Sequence, residues 1–306
     1  MNALSVGVDV GGTKISAALV DHEARVSERV TMPTPAAEGR AAVVERIVAA
    51  VTQVLAACHV GREVLTIGIG TAGVVDPETG TIVASTDTIR DWAGTALGAE
   101  VSARTGLDVS VMNDVVAFLR GEALHGSARG ASNAIAVTVG TGIGGAILAD
   151  GMIIRGRRDA AGHLGHVAAP THRRCSCGRT GHVEAIASGP AIAAEYSRLL
   201  GEDGLSVPDV VLRARSGDPA ATRVLTQAGL ALGLALGGVV NALAPDVVVL
   251  GGGVAFGAEL FVDAVREALS STVLPALADV RVELGSLGHD AVILGAVSVL
   301  APGAPR

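Results

Sequence analysis

Two glycine turns, each flanked by apolar strands, constrain this chain more than any other feature. Residues 4–10 read as a strand, Asp9-Val10-Gly11-Gly12-Thr13-Lys14 as a turn, and Lys14 to Val20 as the returning strand of a hairpin. The pattern recurs at Ala134 to Val139, Gly140-Thr141-Gly142-Ile143-Gly144-Gly145 and Ala146 to Leu148. A strand–glycine turn–strand unit met twice implies a duplicated α/β domain, with one phosphate-gripping hairpin from each copy facing a central cleft. Between the copies, Val44, Ile47, Val48, Val51 and Leu55 keep helical spacing, Leu65–Ile69 reads as a buried strand, and Val109–Met112 reads as a strand leading into a helix from Val115 to Leu124. The reading places domains at 1–117 and 118–290, with the boundary near 115–120 and the segment 291–306 returning to the first.

Glycine lacks a Cβ, so such turns let backbone N–H groups approach phosphate oxygens, and Thr13 adds a hydroxyl donor. Neither turn is a Walker A loop or a dinucleotide fingerprint, because a strand and not a helix follows each. Alone, the first is equally an ordinary tight hairpin; together, the two point to a triphosphate gripped from both sides. A third cluster, Gly251-Gly252-Gly253-Val254, follows the strand Val247–Leu250 and precedes a helix around Glu259–Leu269. It suits an adenosine moiety, and without the other turns it reads as well as a plain helix entry.

Asn113-Asp114 ends a strand and offers a carboxylate beside an amide, fit to orient a sugar hydroxyl and accept its proton. Asp114 is also the expected N-cap of the helix that follows. Four of the eight histidines and two of the three cysteines fall between residues 163 and 184. There His166, Cys175, Cys177 and His182 form a Cys₂His₂ set suited to tetrahedral zinc, and with all four positions filled by protein the metal reads as structural. The other reading is a reduced loop with two free thiols.

Composition narrows the rest. A net charge of −7 repels polyanions, and aromatics at 2% leave few stacking platforms, so no nucleic-acid partner is expected and a ligand must be held by hydrogen bonds. Three cysteines, two of them separated by one residue, do not make a disulfide framework, and the opening residues lack a basic n-region, so a cytoplasmic protein is expected. Val224–Pro245 carries no charge and approaches membrane-spanning length, yet Gln227 and Asn241 interrupt it and glycines recur at 229, 233 and 237. A buried helix fits better than a membrane span.

These residues resemble the ROK family, repressors and kinases within the actin-like ATPase fold that hexokinases share. Asp9 to Lys14 is similar to its first phosphate motif, Gly140 to Gly145 to its second, and Gly251-Gly252-Gly253 to its adenosine turn. Asn113-Asp114 matches its catalytic position, and Cys175-Ser176-Cys177-Gly178-Arg179-Thr180-Gly181-His182-Val183-Glu184 its zinc signature, with His182 where a third cysteine is usual. The resemblance implies two actin-like, ribonuclease H-like domains around a nucleotide and sugar cleft, with Asp114 as general base and Mg²⁺ accompanying ATP near Asp9. It also implies sugar contacts from Gly73, Asn113, His163, His166 and Glu184, nucleotide contacts from Gly11, Gly12, Thr13, Lys14, Gly140, Thr141, Gly142, Gly144 and the Gly251–Gly253 turn, and a homodimer or dimer of dimers.

Glucokinases of the family typically carry Glu-x-Gly-His in the sugar loop, whereas this chain reads His163-Leu164-Gly165-His166, a variant similar to bacterial N-acetylmannosamine kinases. Thr88 also stands near where many members present an Asn. The expected activity is ATP-dependent phosphorylation at the 6-hydroxyl of a hexose or N-acylhexosamine, N-acetylmannosamine first and glucose as the alternative. The family's sugar-sensing transcriptional regulators carry an extra amino-terminal DNA-binding segment, while here the first motif begins at Asp9. A chaperone-like or filament-forming ATPase would share the fold but has no use for this sugar loop and zinc knuckle.

Overall fold

The computed structural model describes residues 3–58, 63–86 and 88–298. The chain opens with strands β1 (Ala3–Val10), β2 (Lys14–Val20) and β3 (Val26–Pro33), helix α1 (Arg40–Ala56) and strands β4 (Glu63–Thr71), β5 (Val74–Asp76) and β6 (Thr81–Ala84). Helix α2 (Leu97–Thr105), strand β7 (Asp108–Asn113) and helix α3 (Asp114–His125) follow. Next come strands β8 (Ala134–Val139), β9 (Ile143–Ala149) and the two-residue β10 (Met152–Ile153), then helices α4 (Glu184–Ala187), α5 (Gly189–Leu200), α6 (Val207–Arg215) and α7 (Pro219–Leu243). Strand β11 (Val247–Gly251), helices α8 (Gly252–Gly257) and α9 (Glu259–Thr272), strand β12 (Arg281–Leu284) and helix α10 (Ala291–Val297) end the description.

Two compact units result: one takes in the residues up to Gly130, Gly151–Ala161 and the segment from Ser286, the other Ala131–Asp150 and Gly162–Gly285. In the first, the sheet order is β3-β2-β1-β4-β7, with β1 antiparallel to β2 and parallel to β4. In the second, β9-β8-β11-β12 repeats that pattern, with β8 antiparallel to β9 and parallel to β11. The duplication read from the turns is therefore a duplication of topology.

The division falls after Gly130, not near 115–120, because α3 packs on α10 within the first unit. Gly295 and Gly121 make that packing possible: a Cβ on Gly295 would lie 1.7 Å from the Ala117 carbonyl oxygen, and one on Gly121 2.2 Å from that of Ala291. Residues 299–306, which the sequence reading assigns to the same return, lie outside the described residues. In the second unit, α7 is long and apolar enough to cross a membrane, but it packs on α9. Its Gly229 and Gly233 approach the carbonyls of Phe261 and Val265 so closely that a Cβ would lie 2.3 and 2.4 Å away.

Candidate active site

In the first unit, β1 and β2 are joined through the three residues Gly11, Gly12 and Thr13. Gly11 N–H donates to the Lys14 carbonyl at 3.0 Å, and the Thr34 hydroxyl donates to the Gly11 carbonyl at 2.7 Å. Gly12 and the exposed Thr13 form the tip, with the Thr88 methyl seated where a Gly12 Cβ would come within 2.5 Å of it. Lys14 Nζ lies 3.4 Å from His289 Nδ1.

Asp9 is the last residue but one of β1, in register with Gly70 of β4. Its carboxyl is pushed up to about 7, chiefly by burial and further by the charge of Asp114, against the pull of Lys14 and Arg29. Burial also raises Asp114, opposed by the Val115 N–H that donates to its Oδ1 at 3.0 Å. Carboxyls held above their usual range beside one another are characteristic of proton-handling sites.

The N-cap of α3 is Asn113, not Asp114. Asn113 keeps extended backbone (φ −62, ψ 143) and its Oδ1 accepts from Val115 and Val116 N–H, whereas Asp114 is the first helical residue. Asn113 Nδ2 donates to the Gly73 carbonyl at 3.0 Å, and the same side chain hydrogen-bonds the Asp114 carboxyl. Gly73, at φ +107, turns the chain where a Cβ would sit 2.8 Å from the Ala84 carbonyl oxygen. The adjacent Ala72 carbonyl accepts from the Trp92 indole N–H at 3.2 Å. Buried Trp92 thus anchors the backbone next to Gly73, a contact that sequence spacing does not reveal.

In the second unit, Gly140 N–H donates to the Gly142 carbonyl at 2.9 Å and Gly189 N–H, opening α5, donates to the Gly140 carbonyl at 2.9 Å. Thr141 is exposed at the tip, while Gly144 already pairs with Thr138 in the ladder. Gly251 closes β11, and Gly252 (φ +86) and Gly253 open the short α8, so the third cluster is a strand-to-helix turn.

His166, Cys175, Cys177 and His182 converge, with ligand atoms all within 4.8 Å of one another. Cys175 Sγ lies 3.5 Å from His166 Nδ1, and Cys177 Sγ 3.3 Å from His182 Nδ1. A tetrahedral ion with bonds of ~2.3 Å to sulfur and ~2.0 Å to nitrogen sets sulfur–nitrogen separations of about 3.5 Å, so the set fits zinc. Without a cation, burial pushes the Cys175 thiol up to about 11 and lowers His166. A bound metal reverses the thiol's preference, since the thiolate is the ligand.

Exposed His163 stacks on His166, with ring centroids 6.0 Å apart and planes 15° from parallel. Glu184 is buried, its Oε2 accepting from Ile143 N–H at 2.9 Å and its Oε1 from the Cys175 thiol at 3.2 Å and from the Ser176 hydroxyl. Oε2 retains a lone pair for a further donor.

The profile of the ROK family matches residues 5–302. The chain belongs to the ROK family. It is 32% identical to the glucokinase of Thermotoga maritima over 96% of each chain, and 32% identical to the N-acetylmannosamine kinase of Salmonella typhimurium over 98% of each. Among solved structures, a ROK family glucokinase from Streptomyces griseus in complex with glucose and AMPPNP superposes with a TM-score of 0.85 at 31% identity, covering 97% of this chain and 98% of that one. The mixed α/β units are accordingly of the actin-like kind that ROK hexokinases share.

Proposed function

We propose that this ROK-family sugar kinase transfers the terminal phosphoryl group of ATP to the 6-hydroxyl of N-acetylmannosamine. The observation that carries the choice of sugar is His163, an exposed imidazole stacked on His166 where family glucokinases place a carboxylate. Its ring N–H donates to an N-acetyl carbonyl that a carboxylate would repel.

Asp114 accepts the hydroxyl proton as the sugar oxygen bonds to the terminal phosphorus and the bond to the departing ADP oxygen breaks. Its placement depends on Asn113, which caps α3 and holds the Gly73 turn with the same side chain. Backbone and hydroxyl donors of the turns at Gly11–Lys14 and Gly140–Gly142 bind phosphate oxygens, assisted by the Gly251–Gly253 turn at the nucleoside end. Asp9 is the carboxylate suited to hold Mg²⁺ bound with the nucleotide, which would neutralise phosphate charge. His166, Cys175, Cys177 and His182 would hold a structural zinc that braces the loop carrying His163 and Glu184.

Glucose is the second reading, favoured by relatives named glucokinase at 31–32% identity. A coupled ADP-release assay over glucose, mannose, N-acetylglucosamine and N-acetylmannosamine decides between them. Highest kcat/KM on N-acetylmannosamine is the expected result; no turnover on any sugar with Mg-ATP and intact fold would end the kinase reading.

A further inference from the structure

We infer that Glu184 is a positioning residue that ties the Cys–His cluster to the second glycine turn, fixing that turn for phosphate before any sugar arrives. The carboxylate spans two features 30 to 40 residues apart in sequence. Oε2 accepts from the backbone N–H of Ile143, the residue that closes the Gly140–Gly142 turn, at 2.9 Å, and Oε1 accepts from Cys175 and Ser176. The turn is fitted to it: a Cβ on Gly142 would lie 2.8 Å from Oε2. From the other side, Gly189 N–H holds the Gly140 carbonyl, so α4 and α5 together grip the turn at both ends. A thiolate bound to metal has no proton to donate, so with the cluster filled the tie to Oε1 runs through the Ser176 hydroxyl. A buried carboxylate accepting from a backbone N–H is among the stronger neutral-to-charged hydrogen bonds, and its loss frees the amide it holds.

The assignment of phosphate to this turn rests on the kinase reading above; the tie itself does not, and the test separates them. Amide exchange is measured on the metal-loaded protein without ligands, for wild type, Glu184→Ala, Glu184→Gln and Ser176→Ala. Exchange at Ile143 is expected to speed about tenfold or more in Glu184→Ala, less in Ser176→Ala, and little in Glu184→Gln, whose amide oxygen still accepts the bond. Stripping the metal from wild type is expected to speed Ile143 exchange, and stripping it from Glu184→Ala to add nothing. Calorimetric titration with Mg-AMPPNP, no sugar present, should show a loss of about tenfold in affinity in Glu184→Ala and recovery in Glu184→Gln. Unchanged Ile143 exchange in Glu184→Ala, with the remaining amides as protected as in wild type, overturns the tie. Altered exchange with unchanged nucleotide affinity, and sugar affinity alone reduced, overturns its role toward phosphate. Wild type that fails to bind Mg-AMPPNP removes the kinase reading and leaves the exchange comparison to decide the tie.

Discussion

Asp9 on β1 and Asp114 at the start of α3 both lie close to Gly70 of β4. Asp9 pairs with Gly70 across β1 and β4, and a Cβ on Gly70 would fall 3.7 Å from the Asp114 Cα. The charge of Asp114 adds to burial in holding the Asp9 carboxyl above its usual range. Asp114→Asn keeps the size and the helix start but cannot take a proton. Turnover is expected to fall about 10²- to 10⁴-fold or more, with sugar and nucleotide affinities retained, as read by steady-state kinetics and calorimetry. Near-normal turnover would remove Asp114 from the mechanism.

The same pair gives a pH dependence. Asp9 is raised from 3.8 to about 7 in the folded protein. Between those values the folded chain holds a proton that the unfolded chain releases, so this contribution to stability is complete below 3.8 and lost as pH rises through about 7. Melting temperatures of the ligand-free protein across that range should carry this downward component, and Asp9→Asn should remove it. Activity runs the other way, because binding Mg²⁺ and accepting a proton both need carboxylates: kcat/KM is expected to climb as pH rises through about 7. Identical pH profiles of stability in wild type and Asp9→Asn would contradict the assignment.

Protein purified without added metal is expected to contain one zinc per chain by elemental analysis. Cys177→Ser should lower that content and sugar affinity together, because the metal would hold His166 as a ligand and the segment of the other three ligands leads into Glu184. Full activity in zinc-free protein would leave the Cys–His set without a part in catalysis.

Packing in the first unit is testable through Gly295. A methyl there would lie 1.7 Å from the Ala117 carbonyl oxygen, backbone of α3 that cannot rotate away as a side chain could. Gly295→Ala is expected to cost about 1–3 kcal/mol or more by overpacking, read as a lower urea midpoint. An unchanged midpoint would mean α10 has room that this geometry denies.

What the sequence made legible is local. The hairpins show because apolar strand residues and glycines lie next to one another, and the metal set shows because its members fall between His166 and His182. Contacts closed by distant segments leave no such trace. Glu122 sits on an amphipathic helix like any solvated acid, yet it is wholly buried and accepts from the backbone N–H groups of Ser127, Ser286 and Leu287. That staple and the α3–α10 packing carry the first unit past residues 115–120 to Gly130. Likewise Asn113 and Asp114 are equally good caps by residue type, and only the backbone angles show which one caps.

His163 is where the two candidate sugars part. A glutamate there would accept hydrogen bonds from two adjacent hydroxyls, while a neutral imidazole accepts one and donates one. Its neighbour His166 stacks on it, with ring centroids 6.0 Å apart. An N-acetyl group replaces a hydroxyl with a carbonyl acceptor, which imidazole satisfies and carboxylate repels. A mismatched polar contact costs about 1–3 kcal/mol, roughly ten- to a hundredfold in specificity. Wild type is therefore expected to prefer N-acetylmannosamine over glucose in kcat/KM, and His163→Glu to shift the ratio toward glucose by that factor, with zinc content unchanged because His163 is not among the four ligands. Should wild type prefer glucose and the substitution leave the ratio where it was, His163 plays no part in choosing the sugar and glucokinase becomes the better reading.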